Sequence, residues 1–587
     1  VYRAEEVAIG DGLALRLIAL VMAGLLAGLT AISPLSARAR VTETTYAAAA
    51  EALVEPYLQS GLFSGTILVA KNGKPVFRRA YGLANREWSV ANTLDTHFRI
   101  GSLTKSFTAA AILKLAEAGK LGLDDRIRQF VPGAPASWDR VTLRHLLGHT
   151  SGIINYTALP DYYAKLSRLE RTPQEIVALV EAEPLLFEPG TRMEYSNTGY
   201  VLLGMAIEAA SGQPYAGYLR EAILTPLGLK ETGYDEASAV LPRRASGYRF
   251  GQAQWRNAPP MASSIAYAAG GLYSTVDDLL AWSRALFGGR VVSTTSLAAT
   301  VDDGGRGYGL GWYVGRAHER RLWSHGGAVS GFLSMIDHYP DDGLDVIVLA
   351  NNENAPVQKI SRELSALWFG VLDPPDSIVL EDIILDRYAG TYQLGPRHFL
   401  TLTREHGRLL SKGTAGPPIL FLPESDRTFV SPAIDARITI DTEPDGRPNG
   451  LVYHQAGRDR IAPRTTPEEA VRILAEPRPL RREVSIDRAR LRRLTGRYDL
   501  GPSFIVSVTL ENGRLYAQAT GQPRNELFPE GERAFFLKSV DAQLSFDLDG
   551  NGRATGLVLH QNGLDTPGPR IEGDLASTKK PARPQAR

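Results

Sequence analysis

Cysteine is absent from all 587 residues, which excludes disulfides, thiolate metal centres and a lipid anchor on cysteine. An excess of either charge is absent too. The 65 lysines and arginines face 64 aspartates and glutamates, so the balance points to no nucleic-acid or strongly anionic partner. An apolar run of membrane-spanning length is also missing: residues 17–32 (LIALVMAGLLAGLTAI) fall short of the ~20 a spanning helix needs. Arg16 precedes that run, and Ser33-Pro34 and Ala37-Arg38-Ala39 follow it, which is the pattern of a secretory signal over 1–39 cut after Ala39. An uncut membrane anchor is the alternative. The acidic Glu5, Glu6 and Asp11 fit a signal's first segment poorly, so translation could begin later. The expectation is export to the periplasm or beyond, with no membrane attachment after cleavage.

At 587 residues the chain exceeds the ~250–300 at which single cores stop growing, so several domains are expected. Residues 65–80 read as a hairpin, with TILVA and PVFRRA about an Asn72-Gly73 turn. A second hairpin, LSMIDHY and LDVIVLA, brackets Pro340-Asp341-Asp342-Gly343, and a helix-like stretch follows at 357–369. Between the two lie helix-like patterns at 102–118, 143–147, 173–182, 198–210 and 275–286. One antiparallel sheet with a large helical insertion explains this order, an α+β domain over 40–375.

The remainder repeats itself. YAGTYQLGP at 388–396 matches LTGRYDLGP at 494–502. The same offset carries Gly407-Arg408-Leu409 onto Gly513-Arg514-Leu515, Phe429 onto Phe535, and Gly450-Leu451-Val452 onto Gly556-Leu557-Val558. Two copies of one domain follow, at 380–470 and 486–573. Each reads as short alternating strands that would close into a small β-barrel. The end, 574–587, includes the basic, proline-containing KKPARPQAR, a composition that predicts disorder.

The candidate chemistry begins in FRIGSLTKSFTAAAILKLAEAG, where Ser102 and Lys105 stand three apart at the mouth of an apolar helix. That spacing puts them on one face. A serine hydroxyl needs a base to take its proton, and a lysine serves only if its own pKa is lowered, as burial near a helix N-terminus would do. The same N-terminus offers N–H groups to an anionic oxygen. Alone, the pair reads equally as a helix cap and a solvated lysine. Downstream stand FEPGTRMEYSNTGYVLLG, with Tyr195-Ser196-Asn197, and RLWSHGGAVSGF, with His325-Gly326-Gly327 on a strand. In isolation Tyr195 reads as a core tyrosine, Asn197 as a helix cap and the two glycines as a β-bulge.

Taken in order, Ser-x-x-Lys, Tyr-x-Asn and His-x-Gly resemble the serine β-lactamase and penicillin-binding-protein superfamily over roughly residues 50–370. TLRHLLGHTSGI and AAGGLYSTVDDLL look like its connecting segments. The resemblance implies a β-lactamase/transpeptidase-like sheet with a helical insertion. It also implies roles: Ser102 is acylated, Lys105 takes its proton, and Tyr195 shuttles a proton to the leaving group and later activates water. Asn197 would hold Lys105 and the substrate carbonyl, and the N–H groups of Ser102 and Ala328 would form the oxyanion hole. His325, Gly326 and Gly327 would position substrate, and no metal or organic cofactor is implied.

A lysine in the third motif would supply a fixed charge for a carboxylate, whereas histidine is mostly neutral above about pH 6.5. His-x-Gly looks more like the D-aminopeptidase and esterase branch. D-aminopeptidases of the superfamily carry two β-barrels after the catalytic domain, and other members carry one lipocalin-like domain. The expected activity is therefore exported serine hydrolysis of an ester or D-amino-acid amide, with a small-molecule or peptide substrate. Action on β-lactams or muropeptides is the alternative, as is a penicillin-binding sensor with little turnover. The barrels could line the cleft, bind cell-wall material, promote a homo-oligomer or serve as structural appendages. A metal hydrolase finds only His145 and His149, without the H-E-x-x-H glutamate. An α/β-hydrolase elbow needs G-x-S-x-G, and in GHTSG the serine falls one place late.

Overall fold

The first described element is a helix, α1 (Glu43–Gln59), which the sequence patterns did not flag. The structure, a computed structural model, describes residues 43–571 apart from 160–161, 164, 252–253, 373–379, 406–407, 415–417, 432–433, 435, 456–457, 477–480, 501–504, 512, 520–523, 539–541 and 562–563. The expected signal at 1–39 and tail at 574–587 lie outside the described residues. Next come β1 (Gly65–Lys71) and β2 (Lys74–Tyr81), joined where Asn72 and Gly73 take φ of 49° and 74°. Positive φ at both central residues suits a two-residue hairpin turn.

The helical insertion contains α2 (Thr104–Glu117), α3 (Asn197–Ser211) and α4 (Val276–Phe287). The expected helix at 173–182 is shorter, Pro173–Ala178, with Thr172 and Glu175 closing a capping box at its start. The chain then returns to the sheet as β3 (Tyr313–Ala317), β4 (Arg320–Val329), β5 (Phe332–Tyr339) and β6 (Leu344–Ala350), followed by α5 (Val357–Trp368). The sheet order is β3-β4-β5-β6-β1-β2, and every pairing is antiparallel.

Every residue of β6, LDVIVLA, is buried, which requires cover on both faces of the sheet. On one face Ile67, Val69, Val346 and Val348 pack with Tyr46 and Val54 of α1 and Ile360 and Leu364 of α5. On the other, Leu68, Ile336, Ile347 and Leu349 pack with Leu103, Phe107 and Trp282 of the helical insertion. Helix α2 is thus buried nearly all round rather than along one stripe, because it lies between the sheet and the rest of the insertion.

Two closed barrels of eight antiparallel strands follow, from Gly390–Gly395 to Arg458–Thr465 and from Gly496–Asp499 to Leu564–Ile571. Neighbours in sequence pair, and first pairs with last, so no edge is left open. The repeat extends to hydrogen bonds. Tyr392 bonds Tyr388 O as Tyr498 bonds Leu494 O, both at 2.7 Å. Thr439–His454–Asp459 in the first barrel corresponds to Ser545–His560–Asp565 in the second. The first barrel meets the catalytic domain at α1, where Leu420 N–H donates to Ser60 Oγ at 2.8 Å and Arg408 pairs with Glu55 at 3.2 Å.

Candidate active site

Ser102 lies in a 3-10 turn, Gly101–Leu103, that leads into α2. The N-cap position of α2 is Leu103, with no side-chain cap bond, so the serine is free of a capping role. Lys105, one turn on, is fully buried. Its Nζ lies 2.8 Å from Asn197 Oδ1, 2.7 Å from Ala269 O and 3.0 Å from Ser102 Oγ. Burial drives its pKa well below the ordinary lysine range, favouring the neutral amine. Nζ donates to the carbonyls of Asn197 and Ala269 as well as to Ser102 Oγ, so an amine that has lost its third proton would keep the two carbonyl bonds and turn its lone pair to Ser102.

Tyr195 also reaches Ser102. Its phenol is hydrogen-bonded with Ser102; burial pushes the phenol pKa well above its usual value, and the Ser102 bond opposes that shift. Lys105 Nζ stands 4.9 Å from the Tyr195 ring centroid. Asn197 is the first residue of α3 rather than its cap, which is Ser196. Its Nδ2 donates to Thr157 Oγ1 at 3.2 Å and its backbone N–H to Asn155 Oδ1 at 3.1 Å, so the amide oxygen is turned to Lys105.

The turn that carries Ser102 meets β4 across a seam where Gly101 and Gly327 have no room for a Cβ. A Cβ on Gly327 would come 1.9 Å from Ile100 O, and one on Gly101 would come 2.8 Å from Ala328 N. Gly101 also takes φ of +51°. The β4–β5 register is continuous from Trp323 to Val329, so Gly326 and Gly327 form no bulge. Gly327 allows the strand to approach the Ile100 carbonyl. Gly326 has room for a Cβ, whose nearest atom would be Met335 Sδ at 3.4 Å. Strand β3 pairs with β4 only as far as Ser324, and Val329 pairs with Phe332 across the Ser330-Gly331 turn. Ladder alternation then points the Ala328 N–H away from β5, toward the open edge beside Ser102.

His325, expected to position substrate, has a buried side chain. It is 1% exposed, its Nδ1 is 2.6 Å from Gly326 O and its Nε2 is 3.0 Å from Tyr308 OH. Burial, with a smaller effect from Lys105, lowers its pKa to about 3, so the ring is neutral and both nitrogens are engaged within the protein. His145 and His149, four apart in sequence, are separately employed. His145 Nδ1 accepts from Thr142 N–H in a capping box, and His149 Nδ1 accepts from Ser196 N–H.

The sequence profile described as Beta-lactamase matches residues 50–366, more than half of the chain. The chain belongs to the β-lactamase family. It is a serine hydrolase of that family. A domain of unknown function (DUF3471) matches residues 480–572, which contain the second barrel. Penicillin-binding protein 4* of Bacillus subtilis (strain 168) is 29% identical over 452 residues, covering 71% of this chain and 98% of that protein. An octameric penicillin-binding protein homologue from Pyrococcus abyssi is similar in structure, with a TM-score of 0.51 and 27% identity over 71% of this chain and 99% of that one. D-amino acid amidase from Ochrobactrum anthropi SV3, complexed with L-phenylalanine amide, gives a TM-score of 0.50 and 26% identity over 56% of this chain and 99% of that one.

In this β-lactamase-family chain Ser102, Asn197 and Ala328 line a cleft of about 890 Å³. Tyr156, Tyr162, Pro260 and Met261 give it an apolar wall, while Arg168, Arg249 and Glu353 bring charge. Glu353 is tethered by Gly331 N–H at 3.1 Å. Gly101, Thr157 and Ser334 support the site without having stood out in the sequence, and His149, which stood out only as half of a metal-ligand pair, does so too. Ser334 Oγ donates to Ile100 O at 2.8 Å, on the carbonyl that faces Gly327.

Proposed function

We propose that the protein hydrolyses an ester or amide through an acyl-enzyme on Ser102, with D-amino-acid amides or peptides and carboxylesters as substrates. The observation that carries this reading is the buried Lys105 amine, its pKa held well below the ordinary lysine range, 3.0 Å from Ser102 Oγ. Ser102 Oγ attacks the carbonyl carbon and its proton passes to Lys105 Nζ, while the carbonyl electron pair moves onto oxygen between the N–H groups of Ser102 and Ala328. Collapse expels the amine or alkoxide, which takes a proton through Tyr195. Water, deprotonated by the same Tyr195–Lys105 unit, then attacks the acyl-serine and releases the acid.

Two features support the choice of substrate. His325 is neutral and turned inward, so the third motif supplies no cation for a substrate carboxylate. The apolar wall suits an uncharged acyl or side chain. The second reading, action on β-lactams or muropeptides, is favoured by Arg168 and Arg249, which also line the cleft and carry the positive charge that His325 does not. Export through the apolar segment at 17–32 belongs to the same proposal. So does self-assembly, for which the octameric Pyrococcus abyssi homologue is the precedent.

Intact mass of the purified protein is to be measured with p-nitrophenyl butyrate, a D-alanine p-nitroanilide and nitrocefin, with product release followed in parallel. Rapid release from the first two, and little from nitrocefin, is expected. Preferential turnover of nitrocefin would favour the second reading, and a lasting adduct without release would favour a sensor. Ser102→Ala should fold normally and lose labelling by a fluorophosphonate; labelling that persists in this variant would refute the assignment of the nucleophile.

A further inference from the structure

We propose that His149 is a positioning residue that sets the phenol of Tyr195 on Ser102, by clasping the chain on both sides of that tyrosine and covering its ring. The proposal rests on Tyr195 being the proton shuttle. His149 O accepts from Glu194 N–H at 2.8 Å, and His149 Nδ1 accepts from Ser196 N–H at 3.2 Å. Between these two anchors the imidazole lies on the Tyr195 ring, with centroids 4.1 Å apart and planes tilted 37°. Glu194, Tyr195 and Ser196 are thereby fixed from one residue, immediately before α3 begins.

The chemistry of the ring fits positioning rather than proton transfer. An accepting Nδ1 places the proton on Nε2. That atom is buried and has no hydrogen-bond partner among the described residues. The rings of Tyr200 and Tyr308 stand 5.1 and 4.6 Å away. Lys105 from α2 and His325 from β4 also act on the ring. Burial first, then these two groups, hold its pKa well below the ordinary range, so it stays neutral.

The backbone gives a second, independent indication that the side chain matters. His149 takes φ of +56°, a conformation glycine adopts without strain. A residue required only for the turn would be better as glycine. Here a strained histidine supplies the acceptor and the ring that glycine lacks.

The test is a double-mutant cycle on p-nitrophenyl butyrate hydrolysis with His149→Gly, Tyr195→Phe and both. His149→Gly keeps the carbonyl contact and relieves the backbone. It should nevertheless lower kcat by roughly tenfold to a hundredfold, the order expected for a misplaced catalytic group, with little change in KM. The pH dependence of kcat should move in this variant, whereas a general loss of folded protein would scale the whole profile without moving it. In the Tyr195→Phe background the same substitution should cost less than about threefold. Equal losses in both backgrounds, or an effect on KM alone, would overturn the proposal while leaving the role of Tyr195 intact. Full activity in Tyr195→Phe would instead remove the reading beneath it. Should His149→Gly fail to fold, His149→Asn carries the same cycle, since asparagine tolerates positive φ and can accept from Ser196 N–H.

Discussion

Replacing Gly327 by alanine tests whether the seam between β4 and the nucleophile turn sets the geometry of the site. The new Cβ would lie 1.9 Å from Ile100 O and 2.5 Å from Ser334 Oγ. To reach 3.0 Å the strand and turn must part by about 1.1 Å, because the obstacle is a backbone carbonyl. That carbonyl is held by Ser334 Oγ at 2.8 Å and by Leu103 N–H at 3.3 Å, so it cannot swing aside. Overpacking of this kind costs roughly 1–3 kcal/mol in stability. The larger effect is on rate. Ala328 is the next residue on the strand, and Ser102 is two residues beyond Ile100, so the displacement enters the gap between the two proposed oxyanion donors. Misplacement by about 1 Å costs on the order of a hundredfold, and loss of one donor on the order of a hundred- to a thousandfold. Gly326→Ala is the internal control, since its Cβ meets nothing closer than 3.4 Å. The assay is kcat/KM on p-nitrophenyl butyrate together with thermal unfolding. Gly327→Ala should lose about a hundredfold in activity and unfold several degrees lower by the usual scaling, and Gly326→Ala should stay within a few-fold. Near-normal activity in Gly327→Ala, or equal losses in both, would refute the seam as the reason for the glycine.

The proton-transfer unit should behave as one. Lys105→Ala and Tyr195→Phe are each expected to lower kcat by ~100-fold or more, and their combination should cost far less than the product; simple multiplication of the rate losses would count against it. Asn197→Ala removes one of the two acceptors that orient the Lys105 amine, so kcat should fall roughly tenfold to a hundredfold with folding largely retained, and unchanged kinetics would mean that Ala269 O suffices. Stability should depend on pH through two buried groups of opposite sign. Burial lowers His325 to about 3, so from pH 3 to 6.5 the unfolded chain binds the extra proton and stability rises with pH, present in full above 6.5 and lost below 3. Burial raises Asp337 to about 6, against an opposing pull from Arg362, so its contribution falls as pH rises from 3.8 to 6. Asp337→Asn should therefore steepen the rise between pH 4 and 6 by up to about 1.4 kcal/mol per pH unit, read by denaturant unfolding at fixed pH steps; an unaltered slope would show that Asp337 does not titrate in this window.

What the sequence disclosed followed from regularity. The two barrels were visible because an unbroken offset carries glycine turns and core aromatics from one copy to the other, and the same offset governs the Tyr392 and Tyr498 hydrogen bonds. The sheet was visible because Asn72-Gly73 has only a few ways to turn and because LDVIVLA is too apolar for any but a doubly covered strand. What stayed hidden depended on contacts between distant segments. Helix α1 is alanine-rich, with buried positions that repeat weakly, and its hold comes from Tyr46 and Tyr57 reaching Leu364 O and Glu363 of α5. The role of Gly327 lies in the approach of Ile100, 227 residues earlier in the chain. His149 sat in a segment readable as a motif, yet its clasp on Tyr195 depends on a left-handed backbone that no spacing rule reveals.

The electrostatics explain how these pieces act together. Lys105 meets Ser102, Asn197 and a backbone carbonyl, with the rings of Tyr195 and Tyr200 4.9 and 5.4 Å from its nitrogen; none of these partners carries a charge. An ammonium there would be a buried ion with no counterion among the described residues, at a cost of several kcal/mol, which is why burial holds the amine's pKa well below the ordinary lysine range. The same burial cost discourages protonation of His149 and His325. In the proposed reaction the proton of Ser102 passes to Lys105, so a positive charge forms beside the negative charge growing on the carbonyl oxygen between Ser102 and Ala328 N–H. Each charge is unfavourable alone and favourable with the other, so the site stabilises the pair only as the bond to Ser102 forms. That is the differential stabilisation a catalyst of acyl transfer requires.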